Sequence, residues 1–248
     1  MSLENYFTEV RKEALESFKR LNDTSKVEQK RWDGPLGIWD IHVVRGKVLK
    51  KATIARIVIE TKHPDTGEDA VFDTIQAKVY PVSPRAPILI FNLEHMAGKE
   101  KRFLGMLDVA PVVVVKEDLD RVRTEMKSVT ETHGENYEAL STQMANIYKL
   151  NQWKSPLNGG IGISLMLPDT KSSLVQEAGF QLLRTYVSIV EKRKTEPYSK
   201  ADRALRDAVW TRMVEYYFLG DQSFIVAVKQ GAPLEALTLS FLPPSVRY

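Results

Sequence analysis

Residues 70–115 read AVFDTIQAKVYPVSPRAPILIFNLEHMAGKEKRFLGMLDVAPVVVV, and this run decides the fold. Thr74, Gln76, Lys78 and Tyr80 interleave with Ile75, Ala77 and Val79, a two-residue period that leaves one side apolar. The segment Pro81-Val-Ser-Pro-Arg-Ala-Pro87 then forces an extended turn, because each proline fixes φ and pushes its predecessor out of the helical region. Ile88 to Met96 follows as a second strand and, after the charged break Gly98-Lys-Glu-Lys-Arg102, Arg102 to Val115 as a third. Apolar strands joined by such short breaks form the middle of a largely antiparallel sheet.

The polar residues inside these strands carry the most information. Asn92, Glu94 and Asp108 sit in otherwise apolar runs, where a bare polar group is costly. Glu94 and His95 are adjacent, so in a strand they point to opposite faces and cannot form a dyad. His95 is expected at the surface, and the cluster Lys99, Lys101, Arg102 in a solvated loop.

Composition narrows the function classes. The 248 residues are 43% hydrophobic and 27% charged, with a net charge of +3 and scattered basic residues, so no nucleic-acid footprint stands out. No run of about twenty apolar residues is present, which argues against a membrane span, and no secretory leader is visible after Met1. A cytoplasmic protein is the expectation. The absence of cysteine removes disulfides, thiolate metal sites and a Cys nucleophile together. The histidines, His42, His63, His95 and His133, show no close ligand pair, so no built-in metal is expected.

Taken in order, residues 3–22 form an amphipathic helix through Tyr6, Phe7, Val10, Ala14, Phe18 and Leu21. Residues 25–31 read as a polar connection. Ile38–Val44 and Val48–Glu60 are strands around a tight turn at Arg45-Gly46-Lys47, and His63 to Gly67 is a loop. Lys116–Thr132 and Asn136–Tyr148 are helices, and Asn158-Gly159-Gly160 opens a strand over 161–167. That glycine run lacks the spacing of a phosphate-binding loop and reads as a tight turn. Leu174–Lys192 is a strong helix, and Ser199 with Asp202 caps another to about residue 218. Phe224–Val228 and Leu234–Leu242 are expected to close the chain as a hairpin. The expectation is one α+β domain spanning 1–248, with a broad, mainly antiparallel sheet of about six or seven strands flanked by helices on both faces.

The C-terminal third resembles a known family. Tyr186-Val-Ser-Ile-Val-Glu-Lys-Arg-Lys-Thr-Glu-Pro-Tyr-Ser199 is similar to the YxPIVEKRKxxPFT segment of oxygen-dependent coproporphyrinogen III oxidases. Arg212-Met-Val-Glu-Tyr216 resembles their RYVEF, and Gly231-Ala-Pro-Leu-Glu235 through Pro244 their GxRxESILMSLP. VYPVSPRAPILIFN over 79–92 resembles IHPKNPHxPTVHxN, Leu104-Gly-Met-Leu-Asp-Val-Ala-Pro111 resembles GGGxDLTP, and Gly46 to Ala52 resembles GxVFEKA. The similarity is collinear over nearly the whole chain.

This resemblance implies a flat antiparallel sheet sandwiched by helices, usually in a homodimer. It also implies oxidative decarboxylation of two propionates of coproporphyrinogen III, with oxygen and no metal or organic cofactor. Such chemistry needs cations for the propionates and a carboxylate facing the pyrrole N–H groups. On this basis Asp108 is the expected catalytic carboxylate, matching the Asp of DLTP. Asn92 matches the Asn of HxNxR, Arg212 the Arg of RYVEF, and Asp221 the Asp of a following DRGT; with Glu94 these are the expected substrate-binding residues. The expected site lies on the face carrying Asn92 and Asp108, lining the main cleft.

The departures bear on the substrate. The family His of HxNxR falls on Ile90 and its Arg on Glu94. Another His falls on Tyr80, the Arg of DRGT on Gln222, and the Arg of GxRxES on Pro233. Each lost Arg removes a charge-assisted bidentate contact. The middle third also resembles the ferredoxin-dependent bilin reductases, whose catalytic His falls on Gln76. Three readings stand: an oxidase-like enzyme with an altered tetrapyrrole substrate, a tetrapyrrole reductase needing an external electron-donor protein, or a non-catalytic tetrapyrrole carrier.

Overall fold

The computed structural model describes residues 1–62, 67–144 and 147–246. Seven strands form a single antiparallel meander in chain order: β1 (Glu28–Gly34), β2 (Gly37–Val44), β3 (Leu49–Lys62), β4 (Asp69–Pro81), β5 (Ile88–Ala97), β6 (Arg102–Ala110) and β7 (Ile163–Pro168). The helices are α1 (Leu3–Asn22), α2 (Lys116–Thr132), α3 (Tyr137–Met144), α4 (Ser172–Arg193), α5 (Lys200–Leu219), α6 (Gln222–Lys229) and α7 (Leu234–Phe241). This is the expected α+β architecture, with helices on both faces of the sheet.

Parity along the strands sorts the core into two layers. Ile54, Ile75, Ala77, Leu89, Phe91, Phe103, Leu107 and Leu165 face α1, α2 and α4, which contribute Tyr6, Phe18, Val122, Met126, Leu182 and Tyr186. Ile41, Ala55, Tyr80, Ile88 and Ile90 point the other way, under Trp210, Met213, Tyr217, Phe224, Leu237 and Phe241 of α5–α7. Burying either layer removes several hundred Å² of apolar surface from water, at roughly 25 cal/mol per Å².

Four expectations need correction. Residues 28–31 belong to strand β1, not to a connection. Its side chains lie open to solvent on both faces except half-buried Trp32, so no alternation marks it. The strand from Arg102 stops at Ala110, because Pro111 has no N–H for the ladder. The helix after Asn136 is described only to Met144; residues 145–146 of the expected span lie outside the described residues. The closing segment is two helices, not a hairpin. Asp221 caps α6 by accepting the Phe224 N–H at 3.0 Å, and α7 buries Ala236, Leu237, Ser240 and Phe241, a helical spacing. The expected loop over His63–Gly67 falls, apart from Gly67, outside the described residues. The cap at Ser199 is a full capping box with Asp202, as expected.

Candidate active site

The register of the central strands lines up the polar positions. Thr53 on β3, Lys78 on β4, Ile90 on β5 and Asp108 on β6 are successive cross-strand partners. One step along, Gln76, Asn92 and Met106 form a second row. Thr74, Glu94 and Leu104 form a third. All three rows face α5–α7.

Asp108 is fully buried. Its Oδ2 accepts the Gly160 N–H at 2.8 Å, and its Oδ1 accepts those of Ile161 at 3.1 Å and Gly162 at 2.7 Å. The glycine-rich segment thus does cradle an anion, and the anion is this side chain. Gly162 is required there: a Cβ would stand 1.8 Å from the Leu107 carbonyl oxygen. Gly160 takes φ +75°, a conformation that suits glycine. Burial pushes the Asp108 carboxyl above the usual carboxylate range, against the opposing pull of these backbone N–H groups. A carboxylate offers about four lone-pair positions. Besides these three loop N–H groups, the Val109 N–H and the Tyr148 hydroxyl also act on it, so the protein itself largely fills its acceptor positions.

Glu94 is half-buried, and its Oε2 accepts from the Thr74 hydroxyl at 3.1 Å. Burial raises its pKa, while the Thr74 bond works against the rise. Asn92 is half-buried between Gln76 and Met106. His95 points to the opposite face, pairing with Asp169 at 2.7 Å beside the Phe103 ring.

Arg212 and Asp221 come from the helical cover. The Arg212 guanidinium donates to the Ser155 carbonyl and stacks 4.2 Å over the Trp153 ring, whose N–H reaches Glu215 at 2.7 Å. Arg212 and Glu215 therefore grip Trp153 together. Asp221 is buried at the start of α6, accepting the Phe224 N–H and, at 2.5 Å, the Ser223 hydroxyl. A cavity of about 640 Å³ lies between α1 and α4, lined by Glu13, Arg20, Arg184 and Glu191. It includes neither Asn92 nor Asp108.

The residue that sequence reasoning missed is Lys78, 2% exposed at the centre of this face. Its Nζ lies 5.7 Å from the Tyr217 ring centroid and 5.8 Å from that of Phe241. Burial lowers its pKa to about 8, and the charges of Asp221 and Asp108 hold it from falling further. Beside it, the Gln76 amide nitrogen is buried without a hydrogen-bond partner. Lys51 was missed too. It is 3% exposed and donates to the Leu242 carbonyl at 2.5 Å, closing the end of α7. The available signal was parity: Thr74, Gln76 and Lys78 share a strand side with Tyr80, a large ring that seeks burial. Tyr148 completes the wall above Asp108. Its hydroxyl contacts the Met106 sulfur at 3.3 Å, and its ring packs 5.5 Å from that of Tyr216.

Residues 2–248 match the coproporphyrinogen III oxidase family. The chain belongs to that family. Membership covers the whole meander and its helical cover, and it makes this a protein of porphyrin metabolism. Ile90, which the motif resemblance matches to the family His, stands between Lys78 and Asp108. On the motif resemblance, Glu94 falls where the family has an Arg; Gln222 and Pro233, matched in the same way to two more, sit at the starts of α6 and α7. Among the described residues, no helix is long and apolar enough to cross a membrane.

Proposed function

We propose that this family member binds a tetrapyrrole against the β4–β6 face, under α5–α7, and carries out oxidative chemistry on a porphyrinogen other than coproporphyrinogen III. The observation that carries the reading is the middle of the cross-strand row. Ile90 separates Lys78 from Asp108, and a sec-butyl side chain neither exchanges a proton nor donates a hydrogen bond. Glu94, half-buried on the same face, repels a propionate where an Arg would hold it. A ligand with fewer or differently placed carboxylates suits such a face.

Asp108 is the proposed acceptor for a pyrrole N–H, which takes the place of the Tyr148 hydroxyl on the carboxylate. Asn92 and Glu94 border the macrocycle. Arg212 and Asp221 support the cover by their holds on Trp153 and on α6. No organic cofactor or metal enters the proposal. The chain is taken as one domain, working as a cytoplasmic homodimer on family grounds; a sedimentation mass near that of one chain at micromolar concentration would count against the dimer. Gln76 stands at the bilin reductases' catalytic His and cannot shuttle a proton, which weighs against the reductase reading and its electron-donor partner.

The test is a pair of measurements. Anaerobic titration with porphyrinogens and porphyrins, followed by absorbance, should show binding. Aerobic incubation with coproporphyrinogen III should yield little or no protoporphyrinogen IX. Efficient conversion would refute the altered-substrate reading, and silence from every tetrapyrrole would refute the ligand class.

A further inference from the structure

Among the cations of the α5–α7 face, most are engaged by the protein itself. Lys51 serves the Leu242 and Thr238 carbonyls. Arg206 is held by Asp207 and the Val82 carbonyl. Arg212 is held by Trp153 and the Ser155 carbonyl. Lys78 differs: among the described residues no hydrogen bond reaches its Nζ, although it is nearly inaccessible.

The carboxylates nearest in charge to Lys78, Asp108 on β6 and Asp221 before α6, place their oxygens on backbone N–H groups and a serine hydroxyl. They attract the ammonium without bonding to it. Two residues back on the same strand and face, the Gln76 Nε2 is also buried and unpartnered. Buried donors are nearly always paired. Two of them on one face, one of them a cation, call for an acceptor that bears a negative charge.

We propose that Lys78, assisted by the Gln76 amide, is the anchor for a carboxylate of the ligand, taking over from the arginines that this chain lacks at Glu94, Gln222 and Pro233. The inference rests on the tetrapyrrole reading above and adds to it a specific cation and a requirement: the bound molecule carries a free acid arm. An esterified ligand loses the anchor.

The probes are mesoporphyrin IX, a dicarboxylate, and its dimethyl ester, titrated into wild type, Lys78→Met and Gln76→Leu, each first checked for a cooperative melt. Wild type should bind the acid at least tenfold more tightly than the ester. Lys78→Met should bind the two alike, and Gln76→Leu should lose part of the preference. Equal binding of the acid by wild type and Lys78→Met overturns the anchor and leaves the tetrapyrrole reading standing. A second arm uses sodium propionate against sodium chloride at matched ionic strength. A rise in melting temperature with propionate in wild type, absent in Lys78→Met, supports the carboxylate anchor even if no porphyrin binds, in which case the ligand class falls instead. If neither porphyrin nor propionate acts on wild type, both are overturned.

Discussion

Arg193 and Asp118 form a buried bidentate pair that ties α4 to α2: Nε to Oδ2 and Nη2 to Oδ1, both at 2.8 Å. The two side chains are 7% and 5% exposed. Arg193 lies within Glu-Lys-Arg-Lys, the run that most plainly resembles the oxidase family. In this chain it joins two helices on the layer opposite the candidate site. Arg193→Met should destabilise the fold by about 3–5 kcal/mol, since it leaves Asp118 a buried charge without its cation; Asp118→Asn should cost less, because Arg193 keeps Glu117 and Glu196. Denaturant unfolding would measure it, with ligand affinity of the surviving folded fraction unchanged.

Asp108 has two jobs that one substitution confounds. Asp108→Asn places an amide N–H against backbone donors and should lower stability on the order of 3 kcal/mol, because charge-assisted bonds contribute roughly 1.5–3 kcal/mol each and do not sum. It should also weaken tetrapyrrole binding about tenfold. Gly162→Ala separates the two: it displaces the loop by a clash with the Leu107 carbonyl but leaves the carboxylate. Loss of binding in Asp108→Asn together with near-normal affinity in folded Gly162→Ala would support direct contact.

The pH dependence of stability has a definite sign. Burial, with a smaller push from Arg45, lowers Lys51 to about 7, and burial lowers Lys78 to about 8. The unfolded chain keeps these lysines protonated to about pH 10.4. Between roughly pH 7 and 10 the unfolded state therefore binds more protons, so stability rises with pH, by at most about 1.4 kcal/mol per pH unit for each group. Below about pH 7 the penalty is complete and this contribution is flat. Unfolding free energies at pH 6.5, 8 and 9.5 should climb in wild type and climb less in Lys51→Met and in Lys78→Met.

Arg212→Ala should loosen the segment around Trp153. Loss of the stacked cation and its carbonyl bond should cost about 1–2 kcal/mol. Tryptophan fluorescence should shift, and ligand affinity should change less than threefold. A tenfold loss of affinity with unchanged fluorescence would return Arg212 to direct substrate contact.

Much of this fold was legible because its central strands carry both an apolar parity and proline or glycine breaks. What escaped has physical causes. Strand β1 shows no parity, since a charged edge strand has water on both sides, and only its pairing with β2 reveals it. The apolar stretches 222–229 and 234–241 are short enough to suit either strand or helix, and the Asp221 cap decides the first. For the site, Asp108 was marked by a polar residue in an apolar run, but its partners come from residues 160–162, beyond local reasoning. Lys78 was hidden by the ordinary reading of alternation, which assigns the polar side to solvent. Here that side is roofed, and the lysine lies beneath the roof.

The meander gives each strand only its chain neighbours for partners, so the ladder is complete at Pro168 without α5, α6 or α7. Those helices meet the sheet through side chains and through isolated bonds such as that from the Tyr80 hydroxyl to the Phe241 carbonyl, 161 residues apart in sequence. Platform and roof are thus separable pieces, joined in sequence by the Lys194–Ser199 bend. A chain cut there would leave every strand pairing intact while uncovering the apolar face of Ile41, Ile88 and Ile90 that these helices bury.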